Sequence, residues 1–470
     1  MKRNLSSTDE ACASLWSSGR TRTDRKLLRS AVVLVFVATA LGYFSVRGNA
    51  QRDREEKMHA PFDEQISSNG QEMFRRGREI FRYDTFGDEA YWTDKLKLHQ
   101  AIQGSKFGGV GAGVSPKTAL AVGLKVDMDA LPADLVAKVK AGQVDLDDPA
   151  TTLALIKLNS VLGVKGTFNP NGSLKAIGLT CAVCHSTVDD AFMPGIGHRL
   201  DGWPNRDLNV GQIVSLAPDT TILKQLLSVD DATLKKVLMS WGPGKFDAEL
   251  NLDGKAFRPD GKPAATLIPP AFGMAGVNLH TWTGGWGTVT YWNAFVGNLE
   301  LQGQGTFFDE RLMDAGKYPV AAKAGFGNKR SPNDMVTEKL AALQYYQLSI
   351  PPPRPPAGSF DAAAATRGEA LFKGKATCSQ CHVPPLFTEP GWNTHKAADI
   401  GIDDFQAKRS PDNSYRTAPL RGLFAHMKGG FYHDGRFATL LDVVNHYNQF
   451  KKLNMSEQNK KDLVEYLKSL

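Results

Sequence analysis

The sequence has very little cysteine, with five residues in a chain of 470. Four of them stand in two short motifs, CAVCH at 181–185 and CSQCH at 378–382, and the fifth is Cys12. No pair is left to form a disulfide, which excludes the small disulfide-stapled scaffolds of secreted proteins. The four motif cysteines therefore serve another chemistry, and their spacing indicates which one.

A strongly charged surface is also missing. The formal net charge is +7, and much of the positive excess lies in the first thirty residues. The remainder is close to neutral, which argues against a nucleic-acid partner. Apolar residues make up 42% of the chain and charged residues 22%, as in ordinary globular proteins, so its length predicts two or three domains with real cores.

Long apolar runs are scarce, and the clearest is SAVVLVFVATALGYFSV at 30–46, which follows a basic head at 1–29. It is at the short limit for crossing a bilayer, and positive charge before it predicts a cytoplasmic head. We interpret it as a signal anchor, or as a signal peptide cut near 48–50, followed by a tether at 47–70. A buried core helix is the alternative. Both export interpretations predict a periplasmic protein, tethered to the inner membrane if the segment is retained.

Each cysteine motif has two spacers between its cysteines and a histidine directly after them, the attachment signature of a c-type haem. Two thiols add to the two vinyl groups of one haem, and the histidine then lies under the iron as proximal ligand. The predicted cofactor-binding residues are Cys181, Cys184 and His185, called the first motif, and Cys378, Cys381 and His382, called the second motif. Zinc in a Cys₄ site is the alternative, but the adjoining histidines and the predicted export weigh against it.

A proline run, IPPPRPPAGS, begins at residue 350 and is typical of a semi-rigid spacer. We therefore place a linker at 350–365 between a first haem domain at 71–349 and a second, electron-transferring cytochrome c domain at 366–470. Helical spacing before the second motif and at 456–470 predicts the helices that wrap a small cytochrome c domain.

The first domain is expected to be larger and richer in loops. Residues 195–330 are rich in glycine, proline and tryptophan, which favours loops and short strands around a cofactor. Helical spacing is found at 76–102, 114–142, 147–161 and 331–348. RGREIF at 76–81 echoes RGEALF at 367–372, a weak repeat that suggests two related halves. The predicted fold class is mainly α, with two cytochrome c-like haem domains.

The stretch RTAPLRGLFAHMKGGFYHDGRFATLLDVVNHYNQF at 416–450 resembles the C-terminal haem domain of bacterial di-haem cytochrome c peroxidases and their MauG-type relatives. The family also carries an F-W-D-G-R stretch with a tryptophan between the haems and a glutamine ten residues later. YWNAFVGNLELQ offers Trp292 and Gln302 at this spacing, although the D-G-R part is absent. Residues 100–180 match nothing in the family and enlarge the first domain.

The resemblance implies that the first haem reacts with peroxide and that the second supplies its electrons. An acidic residue after the glutamine would manage the proton during O–O cleavage, as general acid–base catalysis requires. Glu310 is the nearest acid in the sequence, two residues short of the family offset. The catalytic residues predicted are therefore Trp292, Gln302 and Glu310, with core packing, a backbone cap and a solvated loop acid as their respective alternatives.

The distal ligand of the second haem is left open by the sequence. Peroxidases of the family place a methionine fourteen residues after the histidine of H-D-G, and MauG-type proteins place a tyrosine there. Fourteen residues after His433 stands Tyr447, so the resemblance favours Tyr447 as iron ligand. Anionic phenolate favours ferric iron and would lower the reduction potential. The alternatives are Met427, His433 itself and Met455.

Two further sites follow from the resemblance. His198, thirteen residues after His185, is a candidate gate that closes the first haem at rest, with a surface histidine as the alternative. The family holds a calcium ion partly through backbone oxygens that would map to Thr417 and Pro419. Side-chain oxygens of Asn205 or Asn209 would suit calcium, which prefers hard ligands.

We expect a periplasmic oxidoreductase that reduces hydrogen peroxide at the first haem, with electrons from a small cytochrome c or a cupredoxin. In the MauG-like variant a protein substrate is oxidised instead. A non-enzymatic di-haem electron-transfer cytochrome and a di-haem dioxygenase are the alternatives. The first would need a distal ligand on both haems, and the second an apolar substrate channel.

Overall fold

The computed structural model describes residues 61–470. The predicted basic head, the segment at 30–46 and most of the tether lie outside the described residues. Within 61–470, no helix has both the length and the apolar character needed to cross a bilayer. Residues 72–470 form one compact unit.

The chain is mainly helical, as predicted. The α-helices are 61–83, Glu89–Trp92, Leu98–Gln103, Pro116–Ala121, Ala133–Lys140, Pro149–Lys157, Ala182–His185, Val210–Val214, Thr221–Leu227, Asp231–Trp241, Leu250–Asp253, Val289–Phe295, Pro319–Ala324, Leu340–Ser349, Ala362–Lys373, Phe405–Arg409, Leu440–Phe450 and Glu457–Lys468. A π-helix at Val296–Glu300 continues Val289–Phe295. Short 3₁₀ turns lie at Ser105–Phe107, Met128–Ala130, Glu310–Met313, Thr337–Lys339, Cys378–Gln380, Ala397–Asp399 and Leu423–His426.

Local chemistry explains where several helices begin. The Asp148 carboxylate accepts a hydrogen bond from the backbone N–H of Ala150, and Pro149 is the first helical residue, as the sequence predicts. Ser456 and Thr439 start the last two helices in the same way, each accepting a hydrogen bond from a backbone N–H three residues on. The helix predicted at 331–348 begins later, at Leu340.

The strands are short and pair only two at a time among the described residues. Val126–Asp127 pairs with Ile196–Gly197 in parallel, whereas Val164–Phe168 with Leu174–Leu179, Ser186–Val188 with Arg199–Asp201, Lys245–Phe246 with Thr266–Leu267, and Thr306–Phe308 with Asn328–Arg330 are antiparallel. The ribbons formed by Lys245–Phe246 with Thr266–Leu267 and by Thr306–Phe308 with Asn328–Arg330 lie within 195–330, where the sequence predicts loops and short strands. The strands between residues 126 and 188 lie outside that range and were not predicted.

The weak sequence repeat corresponds to a repeated helix crossing. A Cβ atom on Gly368 would collide with the backbone carbonyl of Asp462, so only glycine lets Ala362–Lys373 approach Glu457–Lys468 this closely. A Cβ atom on Gly77 would collide in the same way with the backbone carbonyl of Ala342.

Aromatic pairs complete both crossings at equivalent positions. Four residues after Gly368, the ring of Phe372 packs on Tyr466 with centroids 5.2 Å apart. Four residues after Gly77, Phe81 packs on Tyr346 at 5.5 Å. The two halves of the chain therefore share one packing arrangement of an early and a late helix. The domain boundaries at the proline run stay a prediction.

The C-terminal half has a hydrophobic core of its own. Its buried members are Phe372, Ala376, Phe387, Leu423, Phe431, Leu440, Val444, Met455, Leu463, Tyr466 and Leu467. Cys378 of the second motif packs against this cluster, so the core also forms the surroundings of the second candidate haem site.

The segment at 100–180, which has no family counterpart in the sequence, folds as three helices and a β-hairpin around a separate core. Buried members of that core include Val126, Leu153, Ile156, Val161, Val164, Leu174 and Ile177. The hairpin ends at Leu179, directly before the first motif, so this segment helps to position the motif.

Candidate functional site

The first motif lies on one helical turn at the end of the hairpin. His185 donates its backbone N–H to the carbonyl of Cys181 at 3.1 Å, and Ala182 donates to the hydroxyl of Thr180 at 3.3 Å. Thr180 in turn donates to the carbonyl of Arg82 on the first helix. This turn brings both thiols and the imidazole to the wall of one large cavity.

The cavity beside the first motif is mostly apolar. Its lining combines the 98–180 segment with later parts of the chain, including Leu98, Ile102, Val122, Leu124, Ile156, Val161, Leu208, Phe272, Val289 and Trp292. Such a lining excludes water and suits a large flat hydrophobic group.

The three side chains of the first motif are uncharged in this setting. Burial raises the pKa of Cys181 and of Cys184 to about 12. Burial lowers the pKa of His185 to about 4, with the backbone carbonyl of Pro269 beside the ring partly opposing it. A neutral imidazole is the form that binds iron. Two thiols, a neutral imidazole and an apolar cavity therefore fit a haem c group.

Two carboxyl groups line the cavity. Glu249 accepts a hydrogen bond from the indole of Trp286 at 3.3 Å. Both oxygen atoms of Glu300 are buried without a hydrogen-bond partner. Burial raises the pKa of Glu300 well above its usual range, and Glu249 and Asp247 raise it further. A carboxyl group with this environment is typical of a functional site.

Glu300 is the functional candidate that the sequence reasoning missed. It ends the π-helix Val296–Glu300, and such distortions are frequent at functional sites. Lys329 holds this element by donating to the carbonyls of Asn298 at 2.6 Å and Gly303 at 2.7 Å.

Of the three predicted catalytic residues, only Trp292 lines the cavity of the first motif. Trp292 lines the cavity and stacks on Phe295 with centroids 4.8 Å apart. Gln302 lies outside the cavity lining, in a left-handed turn, and its amide donates to the carbonyl of Leu299. Glu310 is exposed at the start of a 3₁₀ turn. The structure therefore puts Glu300, in place of Gln302 and Glu310, beside the first motif.

His198 lies outside the cavity. Its ring is exposed and makes a hydrogen bond to Asp129 at 2.9 Å, which raises the pKa of His198. This is the surface position that the sequence left as the alternative to a gate. Besides His185, His280 lines the cavity, and burial keeps it neutral by lowering its pKa to about 4.

The second motif begins in a 3₁₀ turn, Cys378–Gln380. Nδ1 of His382 lies 3.1 Å from the carbonyl of Phe387, and burial lowers the pKa of His382. The adjoining core is apolar, so these residues also fit a haem c group. The Cys₄ zinc alternative does not fit, because the four motif cysteines form no common ligand cluster in residues 61–470.

Tyr447 is the distal-ligand candidate that the structure puts close to the second motif. Burial raises its pKa, and the sulfur atoms of Cys378 and Cys381 are near enough to add to the effect. The neighbouring hydroxyl of Tyr432 partly opposes this rise in the pKa of Tyr447. Met455 is buried in the adjoining core.

The other two distal candidates lie elsewhere. Met427 is 40% exposed. His433 is buried, with its ring stacked on Tyr415 at a centroid distance of 5.1 Å and its backbone carbonyl accepting from Leu267 at 2.7 Å. His433 therefore joins the second half of the chain to the first.

Thr417 and Asn205, two of the predicted calcium ligands, already have protein partners. The carbonyl of Thr417 accepts a hydrogen bond from Thr388, and its hydroxyl donates to Glu389. Pro419 lines the cavity of the first motif. Asn205 donates to the carbonyl of Gly123. Calcium at Thr417 and Pro419 stays a prediction.

No family model matches the chain. The chain is 30% identical over 246 residues to the methylamine utilization protein MauG of Methylorubrum extorquens, covering 44% of this chain and 65% of that protein. It is 29% identical over 234 residues to a cytochrome-c peroxidase of Denitromonas iodatirespirans, covering 38% of this chain and 60% of that protein. The chain thus spans less than two thirds of the length of each relative.

Among solved structures, a MauG-like protein associated with microbial copper homeostasis matches 47% of this chain and 76% of its own, with 18% identity and a TM-score of 0.28. Hydrazine synthase of Kuenenia stuttgartiensis matches 46% of this chain and 76% of its own, with 20% identity and a TM-score of 0.26. The family relationship therefore depends on the sequence matches and on the motifs. They confirm the predicted resemblance: over the matched residues the chain is similar to MauG and to a bacterial cytochrome-c peroxidase.

Proposed function

We propose that the chain is a di-haem c oxidoreductase that reduces hydrogen peroxide at the first motif, with electrons relayed through the second. The observation that carries this proposal is the unpaired Glu300 carboxyl group inside the apolar cavity of the first motif. An electron-transfer cytochrome has no need of such a group. The names of the relatives support an oxidoreductase that carries haem c.

A haem at the first motif would supply the iron and the electrons for cleavage of the O–O bond. The reaction consumes hydrogen peroxide, two electrons and two protons and releases two water molecules. Neutral His185 would hold the iron from one side. The ionised form of Glu300 would accept the proton of one peroxide oxygen and return it to the other, which leaves as water.

The cavity would favour this proton transfer. Its apolar wall keeps bulk water away from the reacting oxygens, so a single carboxyl group controls the proton. Trp292 on the same wall contacts Phe295 and Trp286 and is proposed to carry electrons toward the first site.

A second candidate activity is favoured by Tyr447, which lies close to the cysteines of the second motif. A phenolate ligand there would favour the ferric state and make oxidised forms of the protein longer-lived. The chain would then oxidise a protein partner by long-range electron transfer, which is the MauG-like activity that the resemblance implies. A di-haem dioxygenase would need an apolar substrate channel, but the apolar cavity is already accounted for by the haem proposed at the first motif.

The remaining features of the proposal come from the sequence. Haem c attachment and the segment at 30–46 support a periplasmic location. The electron donor would be a small cytochrome c or a cupredoxin.

The test is stopped-flow absorbance of the purified holoprotein mixed with peroxide, in the diferric and half-reduced states. Glu300→Gln should slow the reaction by about 10²-fold or more, the usual contribution of a positioned general acid–base. Glu310→Gln, which changes the exposed acid predicted from the sequence, should react like the wild type.

Each outcome has a distinct meaning. Reaction only after half-reduction supports a gated peroxidase, and a long-lived oxidised product from the diferric protein supports the MauG-like activity. Absence of reaction in both states rejects peroxide chemistry. A slow Glu310→Gln variant beside a fast Glu300→Gln variant would return the catalytic role to Glu310.

A further inference from the structure

Arg416 extends from the second half of the chain into the cavity of the first motif. Its Nε donates to the carbonyl of Thr281 at 2.5 Å and its Nη1 to the carbonyl of Leu279 at 2.6 Å. Its third nitrogen, Nη2, makes no hydrogen bond to the described residues. The guanidinium group is thus fixed in place by two backbone carbonyls and keeps one donor nitrogen for the cavity.

The positive charge of Arg416 has no carboxylate partner among residues 61–470. Its side chain is partly buried where it donates to the carbonyls of Thr281 and Leu279. Glu249 and Glu300 line the same cavity, but neither forms an ion pair with it. Buried charges in proteins are normally paired, because an unpaired one loses its hydration without compensation.

We propose that Arg416 binds a propionate carboxylate of the haem held by the first motif. The propionates are the anionic groups of a haem, and guanidinium is well suited to carboxylates. This inference rests on the proposed haem at that motif. It gives Arg416, on the opposite half of the chain, a role in the first site.

Arg206 is a second arginine without a carboxylate partner in the described part of the chain, but it lies away from the cavity. Nε and Nη2 of Arg206 are buried without partners, but the side chain does not line the cavity. Its Nη1 donates to the carbonyl of Lys428. Arg416 has both an unpaired charge and access to the space that the haem would fill.

The position of Arg416 also connects the two haem sites. Two residues further along the chain, the carbonyl of Ala418 lies beside the ring of His382 in the second motif. The backbone of residues 416–418 would therefore connect a propionate held by Arg416 with His382, the proximal ligand of the second haem.

The test is spectroelectrochemical titration of the holoprotein without peroxide, comparing Arg416→Gln and Arg416→Lys with Arg421→Gln. Arg421 is the matched control, because it is exposed at the same cavity and donates to the carbonyl of Pro385. Ferric iron carries the additional positive charge, so loss of the Arg416 charge stabilises it. At the wild-type midpoint potential, Arg416→Gln should raise the ferric-to-ferrous ratio of the first haem on the order of tenfold.

The midpoint potential of the second haem should shift less than that of the first. Arg416→Lys keeps the positive charge, so the potential of the first haem should stay close to the wild-type value. The propionate bending band in the resonance Raman spectrum should move in both Arg416 variants. If Arg416→Gln fails to fold, Arg416→Lys alone provides this test. An unmoved band, or an equal shift of potential in Arg421→Gln, overturns the inference. The mass of the purified protein shows whether a haem is covalently attached at the first motif. A protein without that haem would reject the proposed function, and this result is distinct from failure of the Arg416 inference.

Discussion

At the scale of single residues, the first site depends on a carboxyl group whose surroundings oppose its charge. Glu300 has no hydrogen-bond partner, and burial raises its pKa well above the ordinary glutamate range. Its protonated form predominates over a wider pH range than that of an exposed glutamate. The carboxylate needed to accept a peroxide proton is therefore formed only at higher pH.

The rate of the peroxide reaction should accordingly rise with pH as Glu300 ionises, with a midpoint above the unperturbed value of about 4.3. Falling pH protonates the carboxyl group and removes the base. Stopped-flow rates across the pH range measure this directly. Glu300→Gln should lose that dependence, and a variant that keeps the wild-type profile would show that another group accepts the proton.

Tyr447 is the second residue with a distinct expected signature. If its phenolate is the distal ligand of the second haem, Tyr447→Phe should raise the reduction potential of that haem, because a hard anionic donor is lost. Absorbance and electron paramagnetic resonance spectra of the ferric protein should change together. Tyr345→Phe, at a 44% exposed position, is the control. An altered spectrum in Met455→Leu beside an unaltered Tyr447→Phe would assign the ligand to Met455.

At the scale of elements, the π-helix Val296–Glu300 explains why Glu300 points into the cavity. Its wider turn changes which residues share the inner face, and Gln302 then enters a left-handed turn with a φ of 63°. Lys329 fixes this arrangement through the carbonyls of Asn298 and Gly303, and burial lowers the pKa of Lys329 to about 8.

Lys329→Met should therefore loosen the π-helix as well as destabilise the fold. Two buried carbonyls lose their donor, which typically costs about 1–3 kcal/mol each. Thermal unfolding should begin at lower temperature, and the peroxide reaction should slow because Glu300 is no longer held. Lys323→Met, which removes an exposed bond to Ser228, is the matched control. Equal peroxide rates in the two variants would contradict a positioning role for Lys329.

The same elements show what the sequence can and cannot predict. The cysteine motifs and the start of the helix at Pro149 follow from local rules, so they are readable residue by residue. The weak repeat suggests two related halves, but the glycine crossing behind it is a contact between distant residues that only the structure shows. The sequence does not single out Glu300, because the resemblance puts the acid after the glutamine, whereas Glu300 precedes Gln302 and is turned toward the cavity by the π-helix. The sequence leaves His198 open between a gate and a surface histidine, because its partner Asp129 lies in the 100–180 segment, for which the family offers no counterpart.

At the scale of the whole molecule, buried ion pairs join the two halves of the chain. Arg409 lies fully buried, with Nη1 2.9 Å from Asp247 and Nε 2.9 Å from Asp253. Its backbone carbonyl accepts a hydrogen bond from Tyr318 at 3.1 Å. Burial opposes its charge, but the two carboxylates raise the pKa of Arg409 overall. The same acidic group adjoins Glu300, since Asp247 raises the pKa of that residue.

Arg409→Met should destabilise the molecule strongly, because removal of one partner from a buried pair typically costs about 3–5 kcal/mol. Two carboxylates would remain buried without a cation, so Asp247 and Asp253 should take up protons, and unfolding should become easier as pH rises and ionises them. Arg75→Met is the matched control, since Arg75 pairs with Glu72 where both side chains are exposed, and its loss should change stability little. Thermal unfolding of both variants across the pH range measures the difference, and equal midpoints would mean that the two halves are held together by other contacts.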